Sequence, residues 1–139
     1  MSTAYDIIRH PVDIPLEVKA VLAADDQADR KQAVCGQLSF HFPMMIAVGV
    51  LLSICIPSIN AQEKLKGQVT SISQSGHGFM IAMSFQSETE AFRMRMLEQL
   101  CQIEDYRQHA LDHEGRQLNQ EQAALEWIDH YAATFPVLV

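Results

Sequence analysis

Basic residues are scarce in this chain. Ten Lys and Arg stand against seventeen Asp and Glu over 139 residues, a formal net charge of −7. Non-specific binding to nucleic acid or to an anionic membrane surface needs cationic surface, so no DNA or RNA partner is expected. Cysteine is scarcer still. Cys35, Cys55 and Cys101 are odd in number and none is spaced C-x-x-C, which reads as reduced, mostly buried thiols. The start, MSTAYDIIRH, lacks a cationic segment followed by an apolar run, so no signal peptide is expected and the location reads as cytoplasmic. A long unbroken apolar run is also missing. Residues 32–62 carry no charge and 42–57 read FPMMIAVGVLLSICIP, but Pro43 and Pro57 bound that run and Gly49 and Ser53 break it. A spanning helix needs about 20 apolar residues, so buried strands are expected here rather than a membrane span. No internal repeat or low-complexity tract is visible.

What remains is a chain able to fold. Apolar residues make up 48% and charged residues 19%, enough to offset the entropy of ordering one domain. In PVDIPLEVKAVL (11–22), Val12, Ile14, Leu16, Val18, Ala20 and Leu22 alternate with polar positions, the period of a half-buried strand. Pro11 and Pro15 suit a strand start or edge, and AADDQADRKQ (23–32) reads as a polar connection. Further strands are expected at 33–40, 49–57, 64–73 and 78–85. The last two are joined by QSGHG, a glycine-bearing hairpin turn.

The period then changes. Ser87 and Glu90 form a capping box, Phe92, Met96, Leu97, Leu100, Ile103 and Tyr106 recur at helical spacing, and Gly115 ends the pattern. A second helix is expected from Asn119, with Gln122 as capping partner. Ala124, Leu125, Ile128, Tyr131 and Ala132 give its apolar face, and Pro136 stops it. Strands followed by helices point to a mainly β fold: a small antiparallel six-stranded barrel over 11–85 with two C-terminal α-helices over 87–136, all one domain. On this reading Phe92, Met96, Leu100 and Ile103 face the barrel, whereas Glu98, Asp105 and Asp112 stay exposed. Residues 86–139 hold ten acids and four arginines, while 1–85 hold seven acids and six bases. The acidic half is either a pair of solvated helix faces or a docking surface for a basic partner.

Constellations that carry chemistry are few. His109 and His113 lie four apart, on one helix face, a spacing that can ligate zinc. HALDH lacks the Glu that a metalloprotease pattern needs directly after its first His, and no third ligand is evident, so the pair reads as a solvated face and no metal is expected. Gly76-His77-Gly78 precedes a strand, where a dinucleotide loop would precede a helix. Ser39, Ser53 and Ser84 lie in strands and not in a nucleophile elbow. No acid/base pair in an apolar setting can be named, so no enzyme is expected. Trp127 and Tyr131 read as packing of the second helix, with partner docking as the alternative.

The ordered set of strings IIRHPVDIPLEV (7–18), VGVLLSICIP (48–57), KGQVTSI (66–72), GFMIAMSF (78–85), FRMRMLEQLCQIEDYR (92–107) and AALEWIDHYAATFP (123–136) resembles the PilZ domain family over about 11–136. That resemblance implies a bacterial signalling module which binds cyclic di-GMP through R-x-x-x-R before the first strand and D/N-x-S-x-x-G on the next. Arginine forks grip phosphates and stack on guanine, and the glycine allows close backbone approach. Here Arg9 fits the second arginine and Tyr5 stands at the first. Gln37 replaces the acid or amide, Ser39 matches, and Phe42 replaces the glycine. Each lost charge-assisted contact costs roughly 1.5–3 kcal/mol. Tyr5 could still stack on a base and His10 could add a weak cation, so the ligand set would be Tyr5, Arg9, His10, Gln37 and Ser39. Two readings follow. One is an adaptor with a degenerate nucleotide site, binding a protein partner or itself through the C-terminal helices. The other is a true cyclic di-GMP receptor with an altered site.

Overall fold

The computed structural model describes residues 7–21, 35–85 and 87–131. Six strands, β1 (Ile7–Arg9), β2 (Glu17–Ala20), β3 (Gly36–Phe42), β4 (Leu51–Ile56), β5 (Ala61–Ser75) and β6 (Gly78–Phe85), form one sheet in the order β1-β3-β6-β5-β4-β2. A single helical turn, α1 (Pro57–Asn60), joins β4 to β5, and α2 (Glu88–Glu114) and α3 (Gln120–Tyr131) follow the sheet. The strand-then-helix order is as expected, but the sheet is mixed. β1 runs parallel to β3, with Arg9 opposite Ser39, and the other neighbours are antiparallel. Among the described residues no pairing joins the edge strands β1 and β2, so this is an open sheet and not the expected closed antiparallel barrel.

The largest departure lies in 11–22. Alternation predicts one long strand there, yet only Glu17–Ala20 is strand. Residues 12–14 turn, with the Ile14 N–H donating to the Pro11 carbonyl at 3.2 Å. Two prolines within five residues remove two ladder donors, and the chain uses that break to cross from one edge of the sheet to the other. Ile14 is buried as expected, Leu16 and Val18 are half-buried, and Val12 is 73% exposed. Leu22 lies outside the described residues.

The central strands fold as their patterns demand. In β3, Leu38 and Phe40 point inward while Gln37 and Ser39 point out. β6, flanked on both sides, is buried along most of its length. Its register sets Met83 opposite Leu38 and Ile81 opposite Phe40, so one apolar face runs across the sheet. β5 is longer than its expected 64–73 and carries a bulge between Val69 and Ser71, which increases local twist. Gly67 permits β5 to approach β6, since a Cβ there would meet the Ser84 carbonyl oxygen at 2.6 Å. The β5–β6 hairpin closes on Gly76 at φ 59°, a left-handed conformation glycine adopts without steric cost.

α2 starts where expected. The Ser87 hydroxyl accepts the Glu90 N–H at 3.0 Å, and Gly115, at φ 67°, donates to the Leu111 carbonyl to end the helix. The face it turns to the sheet is not the expected one. Ala91, Met94, Leu97, Glu98 and Cys101 are buried, whereas Phe92, Met96 and Leu100 are exposed, Phe92 by 53%, and Ile103 is half-buried. Two apolar stripes run along this helix at about 180° to each other, and periodicity alone does not say which one meets the sheet. α3 is capped reciprocally by Asn119 and Gln122, at 2.7 and 2.9 Å. It lies against α2 through a Tyr106–Tyr131 edge contact and the Tyr106 hydroxyl's bond to Glu126. Trp127 reaches the hydrophobic core, while Leu125 and Ile128 stay exposed. Ala132 and Pro136 lie outside the described residues.

Candidate functional site

The inward–outward alternation of β1 carries one residue past its end. Arg9 points outward and His10 inward, towards the buried face of α2. That face repeats at three- and four-residue intervals through Met94, Glu98, Cys101 and Asp105, so it delivers a carboxylate and a thiol to the imidazole. His10 Nε2 lies 2.8 Å from the Ile14 carbonyl oxygen and Nδ1 lies 2.7 Å from Glu98 Oε2. A carbonyl only accepts, so Nε2 carries a proton. The Nδ1–Glu98 contact then shares one further proton, as imidazolium with carboxylate or imidazole with carboxylic acid. Glu98 is 0% exposed, and its second oxygen, Oε1, is buried without a hydrogen-bond partner among the described residues.

The ionisation of this cluster follows from its surroundings. Burial alone would lower the His10 pKa, but the Glu98 hydrogen bond and charge, with the Ile14 carbonyl, outweigh it and raise the value above normal. Cys101 is held as the protonated thiol. Burial raises its pKa strongly, and the nearby Glu98 and Asp105 add to this. A thiol held protonated in this way is a poor nucleophile.

Beside this cluster, between β1, α2 and α3, opens a cleft of about 670 Å³, lined among others by Arg9, Asp105, Tyr106, His109, Trp127 and Tyr131. Its size falls in the range of small-molecule sites. Gln102 donates to the Arg9 carbonyl at 3.3 Å and so ties the edge strand to the helix. His109 donates from Nδ1 to the Asp105 carbonyl at 3.1 Å, and this bond with the Asp105 carboxylate raises its pKa. His113 stacks on His109 at 5.1 Å between centroids. Both histidines are exposed, as expected of a solvated helix face, and border this cleft; neither belongs to a cluster of three metal-ligating groups among the described residues.

The residues singled out by the family resemblance separate in space. The β1–β3 register puts Ile7 and Arg9 beside Gln37 and Ser39 on the outer face of the sheet, so Arg9, Gln37 and Ser39 share one patch. His10 does not join them, because both of its nitrogens are engaged in the core. Tyr5 lies outside the described residues. The sequence reading missed Glu98, expecting it in solvent. The signal that would have found it is the 94-98-101-105 ladder, in which two acids alternate with Met and Cys.

Comparison with models of known families, with characterised proteins and with solved structures finds no match. No helix among the described residues is long and apolar enough to cross a membrane.

Proposed function

We propose that this chain is a non-catalytic, PilZ-like signalling adaptor that docks a partner protein on its helical half. The observation that carries the reading is the row Phe92, Met96 and Leu100, exposed on the side of α2 turned away from the sheet. A shallow groove of about 210 Å³ among Glu63, Phe92, Arg93, Met96 and Ile103 runs beside it. A row of large apolar side chains flanked by charge fits the apolar stripe of a partner helix. A photo-crosslinking amino acid at position 96 tests this in cells. It should give one adduct with a different protein, and Phe92→Asp should abolish that adduct. An adduct with a second copy alone would move the reading to self-association, and no adduct at all would defeat it.

A second reading, a nucleotide receptor of altered site, is favoured by one observation: Arg9 stands where the outer-face patch with Gln37 and Ser39 meets the aromatic-lined cleft. With His10 withdrawn into the core, one arginine remains to hold two phosphates. Calorimetry at physiological salt should therefore find cyclic di-GMP binding weaker than about 1 μM, roughly −8 kcal/mol. Tighter binding that Arg9→Ala weakens tenfold or more would establish the receptor reading instead.

A further inference from the structure

His10, Glu98 and Cys101 offer nitrogen, oxygen and sulfur donors that all lie within 4.8 Å of one another, and all three side chains are buried. We propose that they form a binding site for a divalent transition ion of the zinc class. The donor set selects the metal. A thiolate with an imidazole suits zinc and its neighbours and disfavours magnesium and calcium, which want oxygen.

Three features of the cluster fit an ion better than a bare buried pair. The first is the orientation of the imidazole. Nε2 donates to the Ile14 carbonyl, which leaves Nδ1, hydrogen-bonded to Glu98, as the nitrogen able to ligate once its shared proton is displaced. A ligating histidine is ordinarily fixed in this way by an outer hydrogen bond from its other nitrogen. The second is Glu98 Oε1, a fully buried carboxylate oxygen with no hydrogen-bond partner among the described residues. Such an atom carries a desolvation cost, and a cation removes it. The third is charge balance. Without metal the cluster holds one shared proton on the His10–Glu98 pair and one on the Cys101 thiol, and it is neutral. Binding of one M²⁺ displaces both protons and leaves neutral imidazole, carboxylate and thiolate around the ion, which is again neutral. The core thus takes up a metal without burying net charge, and two protons leave. Asp105, one turn beyond Cys101 on the same helix face, interacts electrostatically with both His10 and Cys101 and lines the cleft.

Cobalt(II) titration of the full-length, chelator-treated protein tests the site. One equivalent should produce a thiolate-to-cobalt charge-transfer band with intense visible d–d bands, displaced by one equivalent of zinc. About two protons should be released per ion in weakly buffered solution. The Cys35→Ser/Cys55→Ser variant retains Cys101 as its one thiol and should keep the band. Cys101→Ser should lose the band and bind at least about a hundredfold more weakly, beyond the loss typical of outer-shell changes. Absence of the band in the folded double variant would overturn the proposal even if Cys101→Ser failed to fold. So would a band that survives in Cys101→Ser.

Discussion

At the scale of single residues, the buried His10–Glu98 pair dominates. Its two members come from positions 88 apart in sequence, so each depends on the other to remain satisfied inside the core. Removing one partner strands the other without solvent, and such losses run to about 3–5 kcal/mol. Glu98→Ala should lower the unfolding free energy by that order in urea denaturation, and adding His10→Ala should cost less than the sum of the two single changes. The pair also sets a pH dependence. Because the folded state raises the His10 pKa above 6.5, it binds that proton more tightly than the unfolded chain. The resulting stability is fully present below pH 6.5 and is lost as pH rises through the folded value. Glu98, Cys101 and Asp105 are the titratable groups that bear on it. Chemical denaturation of the chelator-treated, metal-free protein from pH 6 upward should show wild-type stability falling more steeply than that of His10→Gln. Parallel slopes would mean that His10 is not the group responsible.

At the scale of elements, capping and turn chemistry behaved as local rules require, while one glycine has a purpose that only the sheet reveals. Nothing in KGQVT marks Gly67 as special, yet its missing Cβ is where the backbone of β6 sits, and Met83 Cε closes the same space at 2.7 Å. Gly67→Ala should therefore destabilise by about 1–3 kcal/mol through overpacking, although alanine has the better strand entropy. Thermal unfolding decides the sign, and an unchanged or raised Tm would show that β5 can move off β6 at no cost. The two stripes of α2 teach a related lesson. Both repeat at helical spacing, and the one that reads as more apolar, Phe92-Met96-Leu100, is the one left in water. The sheet instead meets Ala91, Met94, Leu97, Cys101 and the acid that pairs with His10.

At the scale of the whole molecule, α3 has two faces with different fates. Ala123 and Trp127 are buried, and Trp127 joins the main core. Leu125 and Ile128 are exposed by more than half. The helical pair is thus partly core, which narrows the expectation that it serves wholly as an interaction surface. A chain ending at Gly115 should lose stability as well as association, because it removes Trp127 from the core. Trp127→Ala in the full-length chain should cost about 3–5 kcal/mol, whereas Phe92→Asp should change stability by no more than about 0.5 kcal/mol. Comparing the two by urea denaturation separates core from surface. If Phe92→Asp destabilised as much as Trp127→Ala, the α2 stripe would be packed and the docking surface would be lost.

Local patterns determined the boundaries of β6, the hairpin at Gly76, both ends of α2, the capped start of α3 and the order of strands before helices. Each rests on residues near in sequence: alternation along one strand, a serine three residues before its amide, a glycine where φ is positive. Tertiary structure alone decided that 11–22 breaks at its prolines to cross the sheet, that β1 runs parallel to β3, and that the edges stay open among the described residues. It also decided that His10 turns away from the outer-face patch of Arg9, Gln37 and Ser39 and meets Glu98 and Cys101. The physical reason is shared. Which face of a helix is buried, and whether an acid there is tolerable, depend on a partner supplied by a distant strand, and the spacing of residues within either element carries no information about that partner.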